Sequence, residues 1–213
     1  MVTASSLISK TSLLAQPLLL GTSNRKKVLE LEAHLVPRGF QLKTPADFPD
    51  ALEVDETGDT FIENARIKAI AQAAARGLWA IGEDSGLCVP AIGGQPGVIS
   101  ARFSGPGATD ATNNAKLLAV MASIPPSDRA AYYVSTIVLA APDGTIAIET
   151  SGECWGRILE SPRGEGGFGY DPLFEVAEYH RTFAELGPNV KRAISHRSRA
   201  LRDFLRRLDA IAQ

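Results

Sequence analysis

The chain has 213 residues, of which 45% are hydrophobic and 22% charged, so it can bury a sizeable core as one large domain or two lobes. Its formal net charge of −2 excludes the overall basic surface expected of a general DNA-binding protein. Cys88 and Cys154 form no CxxC pair, so we expect reduced thiols rather than a disulfide framework or a zinc ribbon. Apolar runs fall short of the ~18 residues of a membrane helix. We therefore expect a cytoplasmic protein that partners neither membranes nor nucleic acids.

The first sixteen residues are rich in Ser, Thr, Ala and Leu and carry one charge, on Lys10. They lack the charged start and compact apolar core of a secretory signal. We predict a disordered N-terminal extension, or an upstream-extended start, over residues 1–16 and a single folded domain over residues 17–213.

Strands and helices alternate in the first half of the chain. A short apolar run at 17–22 predicts a buried strand, and apolar residues at helical spacing after Asn24 predict a helix that ends near Pro37 and Gly39. A capping box at 60–63 opens an Ala-rich helix that runs to about residue 76. A strand at 78–82 is then expected to end in a turn at 83–86.

The second half begins with a loop and a helix, and a β-hairpin follows. The predicted elements are a Gly/Pro-punctuated loop at 93–107, a helix at 110–122, strands at 132–140 and 145–150 around a turn at 142–144, a glycine-rich loop at 164–169, and a C-terminal helix with an apolar stripe at 201, 204, 205 and 208. Interleaved strands and helices followed by a hairpin predict an α/β fold with a mixed sheet.

Three consecutive cations, Arg25, Lys26 and Lys27, begin the first predicted helix. Free N–H groups and cations at a helix N-terminus form a site for an anion, above all phosphate, although an exposed, solvated turn is the alternative. The segment is not a Walker loop, because GxxxxGK[ST] is absent from the sequence. P-loop kinase and GTPase chemistry are therefore excluded.

Two carboxylates, Glu83 and Asp84, lie at the end of a predicted strand. Adjacent strand residues point to opposite faces, so they share a site only if the strand turns there. Such carboxylates suit Mg²⁺. Glu56 is a candidate third ligand, and the alternatives are an ordinary turn and a surface acid at a helix start.

Further candidate residues lie on the Ala-rich helix and near the C-terminus. Lys68 shares one helix face with Asn64, although a solvated polar stripe has the same pattern. The GxGxxG match at 164–169 is not a dinucleotide fingerprint, because no helix follows it. Phe168 and Tyr170 could instead sandwich a planar base, with ordinary turn packing as the alternative.

The segment at 191–197 contains Lys191, Ser195, His196 and Arg197 around the start of the last helix. These side chains donate hydrogen bonds to oxygen acceptors, although a basic surface helix would look the same. Together, two cationic sites, carboxylates for a hard metal and an aromatic loop indicate a protein that handles a nucleoside triphosphate with Mg²⁺.

Six sequence blocks give the chain a resemblance to a known family. They are TSNRKK at 22–27, ETGDTFIENARIK at 56–68, DSGL at 84–87, GGQPGVISARFSG at 93–105, GFGYDP at 167–172 and SHR at 195–197. In this order they resemble the Ham1/RdgB-like inosine triphosphate pyrophosphatases. The resemblance covers about residues 18–208. It implies hydrolysis of ITP, dITP and XTP to monophosphate and pyrophosphate, which keeps these nucleotides out of DNA and RNA.

The resemblance also implies a fold, a dimer and a set of roles. The fold would be two-lobed, with a long mixed sheet flanked by helices and the site in the cleft between the lobes, and the protein would be a homodimer. Asp84 would be the general base and would bind Mg²⁺ with Glu56 and Glu83, although bacterial members usually carry Asp where this chain has Glu83. Phosphates would contact Thr22, Ser23, Asn24, Arg25, Lys26, Lys27 and Lys68. The base and sugar would contact Ser85, Phe168, Gly169, Tyr170, Asp171, Lys191, His196 and Arg197.

Two other function classes stay open from the sequence. A non-catalytic nucleotide-binding regulator could share the phosphate and aromatic sites but would not need Asp84 beside metal carboxylates. A Maf-like pyrophosphatase acting on modified pyrimidine nucleotides would share the general chemistry but would not be expected to carry the block at 195–197.

Overall fold

The structure, a computed structural model, describes residues 13–211, which divide into two compact units. Unit 1 comprises the residues up to 84, residues 136–150 and the residues from 200 onward. Unit 2 comprises residues 85–135 and 151–199. Asp84 and Ser85 are therefore consecutive residues that belong to different units.

Seven strands are present in the described residues, and they form one sheet in the order β2-β1-β3-β4-β5-β6-β7. They are β1 (Leu18–Leu20), β2 (Leu42–Lys43), β3 (Ala80–Cys88), β4 (Ala130–Ala140), β5 (Ile146–Ile158), β6 (Phe174–Val176) and β7 (Arg181–Thr182). Strand β1 is parallel to β2 and β3, whereas β6 is antiparallel to β5 and β7. The predicted α/β class with a mixed sheet flanked by helices is confirmed.

The α-helices of the described residues are α1 (Arg25–Leu35), α2 (Phe61–Arg76), α3 (Asp110–Val120), α4 (Phe183–Ile194) and α5 (His196–Ile211). Helix α4 is interrupted at Gly187, where the backbone is non-helical, and Pro188 follows. Helix α2 begins with the predicted capping box, in which Thr60 and Glu63 each accept a backbone N–H of the other. It ends at Gly77 in the left-handed conformation.

The strands of unit 1 bury side chains on both faces. Leu18 and Leu20 of β1 belong to one core cluster with apolar residues of α1 and α5, whereas Leu19 between them packs with the alanines of α2. Strand β3 follows the same alternation, since Ile81 belongs to the first cluster and Ala80 to the second. Unit 1 is therefore a sheet covered by α1 and α5 on one face and by α2 on the other.

Unit 2 has a core of its own. It gathers apolar residues of β3, α3, β4, β5 and β6 around three buried rings, Tyr133, Phe174 and Phe183. The ring centroids of Phe174 and Phe183 lie 5.3 Å apart.

Cys88 and Cys154 are both free and buried, in agreement with the expected reduced thiols. The predicted hairpin is also present, because β4 and β5 are neighbours joined by residues 141–145.

The structure corrects three sequence-based boundaries. The strand expected at 145–150 continues as β5 to Ile158. The strand expected to end at residue 82 continues as β3 to Cys88, so no turn occurs at 83–86. Leu13, assigned from the sequence to a disordered extension, is only 1% exposed and packs in the core cluster of unit 1. Residues 14–16 of the predicted extension are also described, whereas residues 1–12 lie outside the described residues.

Candidate active site

Unit 1 holds a buried lysine between two carboxylates, which we call the Lys68 cluster (Glu56, Lys68 and Asp84). The Nζ atom of Lys68 lies 2.9 Å from Glu56 Oε1 and 3.0 Å from Asp84 Oδ1. Lys68 is 7% exposed and Asp84 4% exposed. The sequence placed these three residues in one site, and the structure brings them together. The alternative of a solvated polar stripe on α2 is wrong for Lys68.

A close approach of α2 to β3 sets the geometry of this cluster. Gly82 lies on the same face of β3 as Asp84, and a Cβ atom built on it would collide with the carbonyl oxygen of Ala65 and lie 2.6 Å from Ala69 N. Only glycine admits the backbone of α2 at this distance. Lys68, on the same helix, is thereby brought within hydrogen-bond distance of Asp84.

Burial controls the ionisation of the Lys68 cluster. Burial raises the pKa of Asp84 above its ordinary value, because the lowering effect of the Lys68 and Lys27 charges does not compensate for lost hydration. Burial by itself would lower the pKa of Lys68, but the carboxylates of Asp84 and Glu56 outweigh it and raise that pKa. Asp84 is thus a carboxylate poised to accept a proton, next to a lysine that keeps its charge.

Glu83 lies on the opposite face of β3 from Asp84, where it pairs with a different lysine. Its Oε2 atom is 2.8 Å from Nζ of Lys27 on α1, and Glu83 is only 1% exposed. The alternation of side chains along an uninterrupted strand explains this separation. The three carboxylates predicted to bind metal therefore divide into Glu56 with Asp84 around Lys68, and Glu83 with Lys27.

The first turn of α1 differs from the open anion site that the sequence suggested. The Asn24 side chain caps the helix by accepting the backbone N–H groups of Lys26 and Lys27 at 3.0 and 3.3 Å. Thr22 Oγ1 accepts the backbone N–H of Asn24 at 3.2 Å. The sequence treated these N–H groups as free for phosphate, which is wrong for Lys26 and Lys27. Four of the predicted phosphate contacts are exposed, namely Ser23, Asn24, Arg25 and Lys26.

The Lys68 cluster has donor atoms that fit a hard cation. Among the residues that the structure describes, no group of three or more His, Cys, Asp or Glu side chains is arranged to hold a metal ion. Asp84 Oδ2, however, is buried and has no hydrogen-bond partner within residues 13–211. An unpartnered carboxylate oxygen beside a second carboxylate, Glu56, suits an oxygen-seeking ion such as Mg²⁺.

Unit 2 contains a second charged group, the Lys191 cluster (Phe168, Asp171 and Lys191). Asp171 Oδ2 accepts hydrogen bonds from Lys191 Nζ at 2.5 Å and from the Phe168 backbone N–H at 2.9 Å. The Lys191 ammonium also lies 4.1 Å from the centroid of the half-buried Phe168 ring. The structure therefore brings these three predicted residues together and gives Lys191 a fixed position.

Tyr170 does not belong with Phe168 as a stacking ring. It is 3% exposed, packs in the core of unit 2 and donates its hydroxyl to the carbonyl oxygen of Ser100 at 2.8 Å. Burial raises the pKa of this phenol above its ordinary range. The expectation that both rings sandwich a base is corrected, because turn packing accounts for Tyr170.

His196 and Arg197 are buried at the start of α5. Arg197 Nη2 donates to Ser85 Oγ at 3.0 Å, and the His196 ring stacks on Tyr133 with centroids 4.7 Å apart and planes at 11°. His196 is 4% and Arg197 2% exposed, so the alternative of a basic surface helix is wrong for these two residues. Sequence reasoning missed Tyr133, because it lies within an apolar β-run and carries no motif.

Comparison with known proteins places this arrangement in a family. The family model described as the Ham1 family matches residues 18–207. The chain belongs to the Ham1 family. The resemblance drawn from the six sequence blocks is thereby confirmed.

Other members of the Ham1 family match nearly the whole chain. The dITP/XTP pyrophosphatase of Geobacter sulfurreducens is 50% identical over 184 residues, covering 86% of this chain and 92% of that protein. The dITP/XTP pyrophosphatase of Thermosynechococcus vestitus is 49% identical over 189 residues, covering 89% and 93%. The structure of a HAM1 protein from Coxiella burnetii is similar with a TM-score of 0.85 at 37% identity, covering 91% of this chain and 98% of that one.

Proposed function

We propose that this chain hydrolyses the non-standard purine nucleotides ITP, dITP and XTP to the monophosphate and pyrophosphate, with Mg²⁺ as cofactor. Relatives at 49 and 50% identity are named dITP/XTP pyrophosphatases, and membership in their family makes the chain a nucleoside triphosphate pyrophosphatase, a hydrolase. Removing such nucleotides from the pool keeps them out of DNA and RNA. The observation that carries the proposal is the buried Asp84 with its raised pKa and one unpartnered oxygen.

Asp84 is the proposed general base. A carboxylate with a raised pKa accepts a proton more readily than one with the ordinary pKa. Lys68 donates to one oxygen of this carboxylate, and the carboxylate takes the proton of a water molecule. That water attacks the α-phosphorus, the bond from the α-phosphorus to the α–β bridging oxygen breaks, and pyrophosphate leaves.

Lys68 has a second proposed role in charge stabilisation. Its ammonium stays protonated, because the carboxylates of Asp84 and Glu56 raise its pKa. A fixed positive charge in a buried site stabilises the negative charge that develops on the leaving pyrophosphate. The same charge holds Asp84 in place before substrate binds.

Glu56 and Asp84 are the residues proposed to hold Mg²⁺. When bound, the ion would supply positive charge that offsets the negative charge of the phosphates. The proposal does not require Glu83 as a ligand, because Glu83 lies on the opposite face of β3 and has Lys27 as its own counter-charge, whereas Glu56 and Asp84 share one lysine.

The residues of unit 2 are proposed to select the base. Lys191, His196 and Arg197 supply N–H donors that would be satisfied by the 6-oxo group of hypoxanthine or xanthine. Adenine carries an amino group at that position, so buried donors would face a donor, a mismatch that can give roughly 10⁴-fold discrimination. The Phe168 ring is the proposed surface on which the base stacks.

One assay tests this function against the two alternatives left open by the sequence. Pyrophosphate release is measured with and without Mg²⁺ from ITP, dITP, XTP, ATP, GTP and modified pyrimidine triphosphates. We expect Mg²⁺-dependent release from the first three with little from ATP. Preference for modified pyrimidines would instead support the Maf-like class, and binding without any release would support the regulator.

The homodimer and the cytoplasmic location stay predictions. No helix within the described residues is long and apolar enough to span a membrane.

A further inference from the structure

Helix α3 holds the peptide group at Gly169 through two of its side chains. The Gly169 N–H donates to Asp110 Oδ2 at 2.9 Å, and the Gly169 carbonyl oxygen accepts from Asn114 Nδ2 at 2.8 Å. Asp110 and Asn114 are four residues apart, so they lie on the same side of α3. The helix thus binds both polar atoms of one loop residue.

Gly169 has a backbone conformation that needs this support. Its φ is +62°, in the left-handed region, and no atom lies within 4 Å of where a Cβ would be. Glycine is therefore used here for its backbone angle and not to make room. The loop before it is exposed and contains glycines at 164, 166 and 167, of which Gly164 and Gly166 lie close to the backbone of Ala184.

The residue that this arrangement orients is Phe168. Its ring lies under the Lys191 ammonium, and its N–H is bound by Asp171. On the other side, Tyr170 is anchored in the core through Ser100. Asp171 also donates its backbone N–H to the Phe168 carbonyl oxygen at 3.2 Å. The two bonds at Gly169 act together with those of Asp171 to fix the backbone from which the Phe168 ring projects.

The caps of α3 do not require either side chain, although the Asp110 carboxylate in the first turn also favours the helix dipole. The helix is already capped by Thr109 and Thr112, whose side chains each accept a backbone N–H of the other. Asn113, and not Asn114, ties α3 to the preceding loop through Ser104. The Asn114 amide also leaves its buried Oδ1 without a hydrogen-bond partner within residues 13–211. The Asn114 amide therefore keeps its hydrogen bond to Gly169 and leaves its own Oδ1 without one. The flipped amide would instead place Oδ1 against the Gly169 carbonyl oxygen, where two acceptors would repel each other.

We propose that Asp110 and Asn114 are positioning residues that hold the Gly169 peptide so that Phe168 can stack on the purine. The inference rests on the proposed function, since it assigns Phe168 to the base. It predicts that these residues affect substrate binding through the base while leaving the proton transfer at Asp84 unchanged.

The test compares KM and kcat for ITP in variants of the full chain. Asn114→Ala and Asp110→Ala each remove one hydrogen bond to Gly169, and each should raise KM roughly 5- to 10-fold with kcat within about 2-fold. Asp110→Asn keeps an oxygen acceptor for the Gly169 N–H and should restore KM to within about 2-fold of wild type. Gly169→Ala should also raise KM, through backbone strain alone, because the space for its methyl group is open.

Ala115→Gly provides the matched control, since Ala115 is an exposed residue of α3 and glycine there weakens the helix. It should lower the melting temperature and leave KM unchanged. The proposal is overturned if Asn114→Ala and Asp110→Ala lower the melting temperature as Ala115→Gly does but leave KM at the wild-type value, or if they lower kcat without raising KM.

Titration with inosine separates this proposal from the proposed function. Inosine carries the base without phosphates, and its affinity should fall in the Asn114 and Asp110 variants by the same factor as KM rises. If the wild-type chain binds inosine but does not hydrolyse ITP, the proposed function fails while the role of these two residues stands. Equal inosine affinity in the wild type and in both alanine variants overturns the positioning role itself.

Discussion

Lys27 illustrates how a single contact changes the expected effect of a charged residue on stability. In the sequence, Lys27 is one of three repelling cations at a helix start, and this pattern alone predicts that its removal leaves the stability of the free protein the same or slightly higher. In the structure its ammonium is 2.8 Å from Glu83, which is 1% exposed. Removing one member of a buried ion pair leaves the other charge without compensation.

We therefore predict that Lys27→Ala lowers the free energy of unfolding by up to about 3 kcal/mol. The double variant Lys27→Ala, Glu83→Gln should recover part of this loss, because no buried charge is then left. Urea unfolding measures both. Lys26→Ala, at the exposed neighbouring residue, is the control and should change stability by less than about 0.5 kcal/mol. Equal stability of Lys27→Ala and wild type would show that the pair does not stabilise the fold.

Glu175 on β6 gives a prediction about pH. It is 3% exposed and accepts hydrogen bonds from Arg157 at 2.7 Å and Arg163 at 2.5 Å. Burial raises the pKa of Glu175, but the two guanidinium groups outweigh burial and hold that pKa below its ordinary value of 4.5. A lowered pKa in the folded state contributes stability above pH 4.5, and this contribution is lost as the pH falls through the lowered pKa.

Glu175→Gln should therefore cost about 1–3 kcal/mol at pH 7 and clearly less at pH 3. The measurement is urea unfolding of both proteins at the two pH values. Since other carboxylates titrate equally in both proteins, the difference between them isolates Glu175. A cost that is the same at both pH values would contradict the assigned role of the two arginines.

At the scale of elements, the packed structure begins at least as early as Leu13, whereas the sequence predicted that it begins at residue 17. Leu13 belongs to the core cluster that also contains apolar residues of α1 and α5, such as Phe204. These residues are distant in the sequence, so no local pattern predicts that Leu13 is buried. The predicted extension over residues 1–16 is therefore corrected at Leu13.

Leu13→Ala should lower the free energy of unfolding by about 2–5 kcal/mol, because it leaves a cavity in a closed core. Leu29→Ala is the matched control, since Leu29 on α1 is 50% exposed and should cost less than about 0.5 kcal/mol. Thermal melts of the two variants check this. Similar melting temperatures for the two variants would show that Leu13 does not stabilise the core and belongs to the predicted extension.

The elements also show where sequence patterns fail. Helices α1 and α2 could be predicted because their caps and apolar spacing are local, with Asn24 and Thr60 at the starts and Gly77 at one end. The continuation of β3 through Asp84 could not be predicted, because Glu83 and Asp84 are polar and Gly86 is typical of turns. Their burial depends on lysines of α1 and α2 that are distant in the sequence.

At the scale of the whole molecule, the sequence predicted the fold class and the family because six ordered blocks carry more information than any single motif. Which residues contact each other within each cluster could be known only from the structure. Tyr133 beside His196 and Asn114 beside Gly169 are contacts between distant segments, and neither residue type is distinctive at its position. Tyr170 was misassigned for the same reason, since an aromatic residue in a glycine loop looks exposed until its core contacts are known.

The central claim is that Asp84 is the base of a nucleoside triphosphate pyrophosphatase. Asp84→Asn removes the proton acceptor with little change in shape, and Glu56 remains as a partner for Lys68. The most direct measurement is pyrophosphate release from ITP by this variant and by wild type, with ITP binding measured in parallel. We predict a loss of turnover of about 10²–10⁴-fold with binding retained. Turnover near the wild-type rate would contradict the claim, and binding lost to the same extent as turnover would mean that Asp84 holds metal and substrate without acting as the base.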